Sequence, residues 1–218
     1  MMQCPHLVTN KYLENLEKDY TNIAKNIEYH IDGNHLLENY IALCAYGIIY
    51  NEERYFTKLM KEIETQFVTD HFHFERSPMY QSILIERFIL LSGIMKATKH
   101  HAYKDMKVFI EKALSSLNFF KNPDGGFYHF NDGNSEGCLH LEQLQLNFER
   151  IFEVSPSLGT LQSVCGFYKV SNDLSSELVI DGGEILAWYI PGHTHDSVGS
   201  FSLLVNGKPF IMNNQVST

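Results

Sequence analysis

Positive charge is scarce in this chain of 218 residues: 17 Lys and Arg stand against 26 Asp and Glu, a net charge of −9 with His neutral. An acidic balance offers no field for a polyphosphate, which argues against nucleic acid as a partner. Long apolar runs are missing as well. Each is interrupted by Glu, Lys or Arg before it reaches the about 18 residues of a bilayer span, so no membrane span is expected. Residues 1–10 carry neither the basic stretch nor the apolar core of a secretory signal. Cysteine is sparse, and Cys4, Cys44, Cys138 and Cys165 show no metal or redox spacing, so buried free thiols are expected. Apolar material is plentiful. The 44% hydrophobic and 13% aromatic content suffices for a packed core and argues against disorder.

The first part reads as helix after helix. Tyr12, Leu13, Leu16, Tyr20, Ile23, Ala24 and Ile27 recur at helical spacing behind Thr9 or Asn10 as N-cap. Further helices are expected over 35–50, 52–68, from Pro78 through Ile94, 103–120 and 139–152, with Pro78 in a first turn. Short connections predict antiparallel helical hairpins. From Pro123 turn residues accumulate, and beyond Pro156 the apolar period falls towards two. Strands are expected over 166–170, 177–180, 185–190, 201–205 and 209–212, with Asp181-Gly182-Gly183 and Asn206-Gly207 as hairpin turns. The expected class is α+β and multidomain, with a helical domain over 1–156 and an antiparallel β domain over 157–218.

Three polar clusters interrupt this background. The first holds Glu28, His30, Asn34, His35, Glu38 and Asn39. It reads either as a helix start capped by Asp32 or Asn34, or as an amide and an imidazole presented to a cleft. The second holds Asp70, His71, His73, Glu75, Arg76 and Tyr80. It is either a polar connection with Glu75 and Arg76 paired, or the setting of a tyrosine whose phenol faces Arg76. A neighbouring cation would lower that phenol from its usual ~10 and make it a usable base. The third is Pro191-Gly192-His193-Thr194-His195-Asp196, where alternation puts both imidazoles on one face, as a surface pair or as donors to one metal or substrate. Tyr40, Tyr46, Phe127, Tyr128 and Trp188 could stack on sugar rings, although at such spacings core packing is the commoner role.

Five blocks in order resemble the heparinase II/III-like family of polysaccharide lyases. They are Glu28-Tyr29-His30-Ile31-Asp32-Gly33-Asn34-His35 with Asn39; Phe74-Glu75-Arg76-Ser77-Pro78-Met79-Tyr80; Pro123-Asp124-Gly125-Gly126 with Phe130-Asn131-Asp132; Gly166-Phe167-Tyr168; and Pro191-Gly192-His193-Thr194-His195 with Gly199-Ser200-Phe201. The resemblance implies an incomplete (α/α) toroid followed by an antiparallel β-sandwich, with the active site between them. It implies β-elimination on an anionic, uronic-acid-containing polysaccharide. Asn34 and His35 would neutralise the uronate carboxylate, and Tyr80 and His193 would carry the proton transfers. Arg76, Glu75 and His30 would contact substrate. The cell envelope or periplasm is the implied location; the absence of a signal leaves the cytoplasm as the alternative.

The departures from the family pattern carry their own expectations. His195 matches a histidine that binds structural zinc in some members, but Asn213 stands where an Asp would complete that site, and a neutral amide is a poor ligand for a divalent cation. No cofactor is required for the chemistry, and zinc is disfavoured. Gln81 replaces the usual His after the motif tyrosine, and Ser197 the usual Asp. Members continue for many more strands beyond the position of Thr218, so the chain reads as a partial or truncated member, with unpaired edges and exposed apolar sheet faces. Two alternatives follow. One is a degenerate carbohydrate-binding protein without turnover; the other is a hydrolase using Glu75 and Asp132 as paired carboxylates.

Overall fold

A computed structural model describes residues 9–134, 137–184 and 198–213. Six helices come first: α1 (Asn10–Lys25), α2 (Gly33–Ile49), α3 (Arg54–Gln66), α4 (Pro78–Thr98), α5 (Tyr103–Phe119) and α6 (Leu141–Phe152). Five strands follow: β1 (Ser163–Val164), β2 (Phe167–Ser171), β3 (Glu177–Asp181), β4 (Phe201–Val205) and β5 (Lys208–Ile211). The strands form one antiparallel sheet in the order of the chain, β1-β2-β3-β4-β5. The class is α+β.

The helix starts follow the local chemistry. Thr9 caps α1 by accepting the Tyr12 N–H at 3.2 Å. Ser77 caps α4 in the same way, with Pro78 in the first turn where no intrahelical N–H is needed. Helices α2 and α4, apolar nearly all round, are the buried ones. Helix α2 packs on α3 and α4, and α4 also packs on α5 and α6. By contrast α1 buries no residue completely. The Asn206-Gly207 pair makes the expected two-residue turn between β4 and β5, both residues at positive φ. The strand expected over 185–190 lies outside the described residues. The two-residue β1 carries too short a pattern to be read from sequence.

The sheet docks on the helices through one side. Phe167, Val179, Asp181, Ser202 and Leu204 are buried on the inner face, while Tyr168, Val170, Phe201 and Val205 are exposed on the outer one. Phe167 enters an aromatic cluster, 5.0 Å from the Phe120 ring and 4.8 Å from Phe130, with Phe72 stacked 4.9 Å from Phe120. Each such pair adds about 0.5–1.5 kcal/mol to the burial itself. A polar strap lies beside it: the Tyr128 hydroxyl donates to Glu177 at 2.7 Å, and Lys169 pairs with the same carboxylate at 3.1 Å. Helices and sheet therefore share a continuous core. Tyr40, Phe127 and Tyr128 lie within it rather than on a sugar-stacking surface. Cys44, Cys138 and Cys165 are free thiols.

Two histidines make this fold sensitive to acid. Burial holds His71 and His129 below the ordinary imidazole value, with Lys112 adding to the effect at His71. A depressed folded value means that the unfolded chain binds protons first. Stability is then full above the unfolded value of about 6.5 and declines as pH falls from there through the folded values. Urea midpoints should drop between about pH 7.5 and pH 5, and His71→Gln with His129→Gln should flatten that slope.

Candidate functional site

The site is built on three segments that each turn through the left-handed region where they meet. Asp32 and Gly33 lie at φ 62° and 55°, Arg76 at 57° and Asn131 at 51°. Non-glycine residues in this region are strained by about 1–3 kcal/mol and gather where a structure holds functional groups. At Gly33 the geometry demands glycine, because a Cβ there would collide with the Glu75 carboxylate.

Glu75 is the hub. It is buried, and its Oε1 accepts the Asn34 N–H at 3.0 Å at the first turn of α2, where the helix dipole favours a carboxylate. Its backbone carbonyl and that of Arg76 accept from the Asn131 side-chain amide, at 3.4 and 3.0 Å. Ser77 donates to the Asp132 carbonyl while accepting the Tyr80 N–H at 3.3 Å. The start of α2, the 75–80 segment and the 131–132 turn are thereby fixed to one another. The Asn34 Oδ1 is buried without a hydrogen-bond partner among the described residues. A lone buried amide oxygen costs about 1–3 kcal/mol.

Tyr80, on the first turn of α4, is half-buried, and its phenol is pushed up to about 12 by burial first, then by the carboxylates of Asp132 and Glu75. This reverses the sequence-based expectation of a cation beside it. Arg76 faces the other way. Its guanidinium is buried, pairs with Asp181 of β3, donates to the carbonyls of Cys165 and Glu184 at 3.2 Å each, and lies 4.3 Å over the Phe167 ring. The expected substrate contacts through Arg76 and Glu75 are thus closed off: both residues are 1% exposed and bound to protein groups. The expected Glu75–Arg76 pairing gives way to Glu75–Asn34 and Arg76–Asp181, because the left-handed turn at Arg76 sends the two side chains apart.

The other expected residues divide. His35 lies on α2 next to Asn34, its Nδ1 3.6 Å from Glu28, whose carboxylate also takes the Asn39 amide at 2.9 Å. His30 is exposed in the turn before α2. His193 and His195 lie outside the described residues. Gln81 is structural: it accepts the His73 N–H at 2.9 Å and donates to the carbonyls of His71 and Ala113. Asn213 spends its amide on the protein as well, donating to the His129 carbonyl at 3.0 Å, which an aspartate could not do.

Asn131 and Asp181 escaped the sequence reading as site residues. Asn131 sat in a motif rich in turn residues, where its left-handed backbone was the available signal. Asp181-Gly182-Gly183 read as a turn, whereas Asp181 ends β3 and its glycines make room for Arg76. A Cβ on Gly183 would lie 2.9 Å from the guanidinium carbon.

The model of the heparinase II/III N-terminus matches residues 2–159. The chain belongs to the heparinase II/III family. Two solved structures of this family's members align with 94% of the chain: a heparinase III at TM-score 0.70 and 19% identity, and a heparan sulfate lyase mutant, HepC from Pedobacter heparinus, at TM-score 0.68 and 18% identity. At that identity the likeness is one of fold. This heparinase II/III family chain spans 36% of the length of each of those proteins. No curated protein sequence matches it. Among the described residues no helix is long and apolar enough to cross a membrane.

Proposed function

We propose that this chain supplies the helical side of a lyase site acting by β-elimination on a uronic-acid-containing, anionic polysaccharide. One observation carries the reading: the start of α2, which bears Asn34, is tied through the buried Glu75 carboxylate to the segment whose Ser77 caps the first turn of α4, which bears Tyr80. The proton beside a uronate carboxylate is not acidic until that charge is neutralised. The Asn34 amide, with the His35 imidazole beside it, is the donor pair for that task. A protonated phenol at Tyr80 suits donation to the leaving glycosidic oxygen, with His193 as the partner that takes the α proton. No cofactor enters this chemistry. The structural relatives, a heparinase III and a heparan sulfate lyase, support a polyanionic substrate. With a net charge of −9, attraction must come from local donors rather than from the overall field.

A second reading, carbohydrate binding without turnover, is favoured by Asn213, whose amide is tied to the protein where the family pattern has an acidic ligand. One experiment separates the two. Heparan-type and other uronate polysaccharides are incubated with the chain, and the ultraviolet absorbance of the unsaturated product is followed. Absorbance that grows with time supports the lyase. Saturable binding without absorbance supports the second reading, and neither signal from this chain or a longer one rejects both.

A further inference from the structure

At the far end of α2 from Asn34, a separate group of side chains is arranged as ligands. Helix α2 spans 17 residues, so the two ends lie about 25 Å apart. Glu53 occupies the N-cap position of α3, yet its side chain makes no capping bond. Its carboxylate turns instead to His100, with Oε1 and Oε2 at 3.1 and 3.3 Å from Nε2. His100 and His101 are delivered there by a sharp stop to α4. Lys99 lies at φ 57°, and the His100 N–H returns to the Met95 carbonyl at 2.8 Å. The two imidazole rings lie 4.3 Å apart between centroids and are tilted by 30°, and the Phe56 ring braces both edge-on at 4.8 and 5.7 Å. One donor atom from each of Glu53, His100 and His101 lies within 4.8 Å of the others.

We infer that Glu53, His100 and His101 form a binding site for a late first-row divalent cation, with Zn2+ as its representative. Two imidazoles and a carboxylate are a borderline donor set. Magnesium and calcium prefer all-oxygen shells and are excluded on that ground. Tetrahedral zinc holds its ligand atoms about 3.4 Å apart, so the group must close by roughly an ångström. The exposed Glu53 and His101 side chains supply that movement while the better-buried His100 stays fixed. The proton balance is defined. The His100 Nδ1 accepts the Ala102 N–H at 3.3 Å, which leaves the proton of the neutral ring on Nε2. Metal at Nε2 moves that proton to Nδ1 and gives up this long bond, and affinity falls wherever acid protonates the rings. A bound ion would clip the start of α3 to the α4–α5 turn and stabilise the fold by mass action.

The test uses the full chain, stripped with a chelator and titrated with zinc chloride by calorimetry, alongside its thermal midpoint. His193→Ala with His195→Ala serves as a parallel background, since that motif could also take zinc. The expected result is one equivalent bound in both backgrounds, a raised midpoint, and no response to magnesium. His101→Ala and Glu53→Gln, both at exposed positions, should each weaken that equivalent by at least about tenfold. Zinc binding unchanged in these two variants, abolished by the His193/His195 substitutions, or absent altogether overturns the assignment.

Discussion

Arg76→Ala is expected to lower the stability of the chain by about 3–5 kcal/mol, more than any other single substitution at the site. The reason is burial. Arg76 and Asp181 are 1% and 0% exposed, and removing the guanidinium leaves the Asp181 carboxylate inside the protein without this cation. Carbonyls of Cys165 and Glu184 lose donors in the same step, and Phe167 loses the cation over its ring. Against a total of about 5–15 kcal/mol for a typical native domain, that is a large fraction. Arg76→Lys should fall only a little short of it, because one ammonium cannot reach three separated acceptors in a fork geometry. Arg76→Met combined with Asp181→Leu should recover much of the loss, since an apolar pair carries no desolvation penalty. Urea unfolding of the two single variants and the double variant gives the coupling directly. Additive losses would show that the two residues do not act as a pair.

Tyr80→Phe is expected to cut turnover of a uronate polysaccharide by about 100- to 10,000-fold, with binding of the same polymer nearly unchanged. The substitution removes one hydroxyl and leaves the Tyr80 N–H on Ser77, so the first turn of α4 should persist. The sign of the pH dependence follows from the raised phenol. Pushed up to about 12 by burial and by two neighbouring carboxylates, Tyr80 holds its proton through the neutral range. It should therefore contribute no inflection to the rate between about pH 6 and pH 9. A rate that climbs with pH in this interval, and stops climbing in Tyr80→Phe, would reassign the phenol as a base with a lowered value. Undiminished turnover in Tyr80→Phe would remove it from the chemistry.

What could be read in advance was whatever depends on local pattern. Thr9, Ser77-Pro78 and Asn206-Gly207 each sit where their backbone chemistry places them, and the helices fall within a few residues of their apolar periods. The link between the segments that bear Asn34 and Tyr80 runs through Glu75, a role the sequence did not single out for it. Glu75 and Arg76 are adjacent in sequence and look like a neutralised pair. Only a left-handed turn at Arg76, a conformation that arginine rarely adopts, sends one towards α2 and the other towards the sheet. No window of neighbouring residues contains Asp181, so the true partner of Arg76 was out of reach. Gln81 was legible as a departure from pattern but not as what it is, a side chain that satisfies three backbone groups around one buried corner.

The distance along the chain between Arg76 and Asp181 also bears on how the molecule reaches its shape. Their ion pair closes a loop of 105 residues, while the helical neighbours α2, α3 and α4 meet across connections of a few residues. Contacts between near neighbours form early, and a contact of this range must wait until the entropy of closing the loop can be met. During synthesis Arg76 emerges long before its counterion and remains hydrated until β3 arrives. Burial of that charge is then expected to be a late event, together with the seating of Phe167 under the guanidinium. Arg76→Ala is therefore expected to speed unfolding more than it slows folding, a split that stopped-flow rates of the two limbs would check.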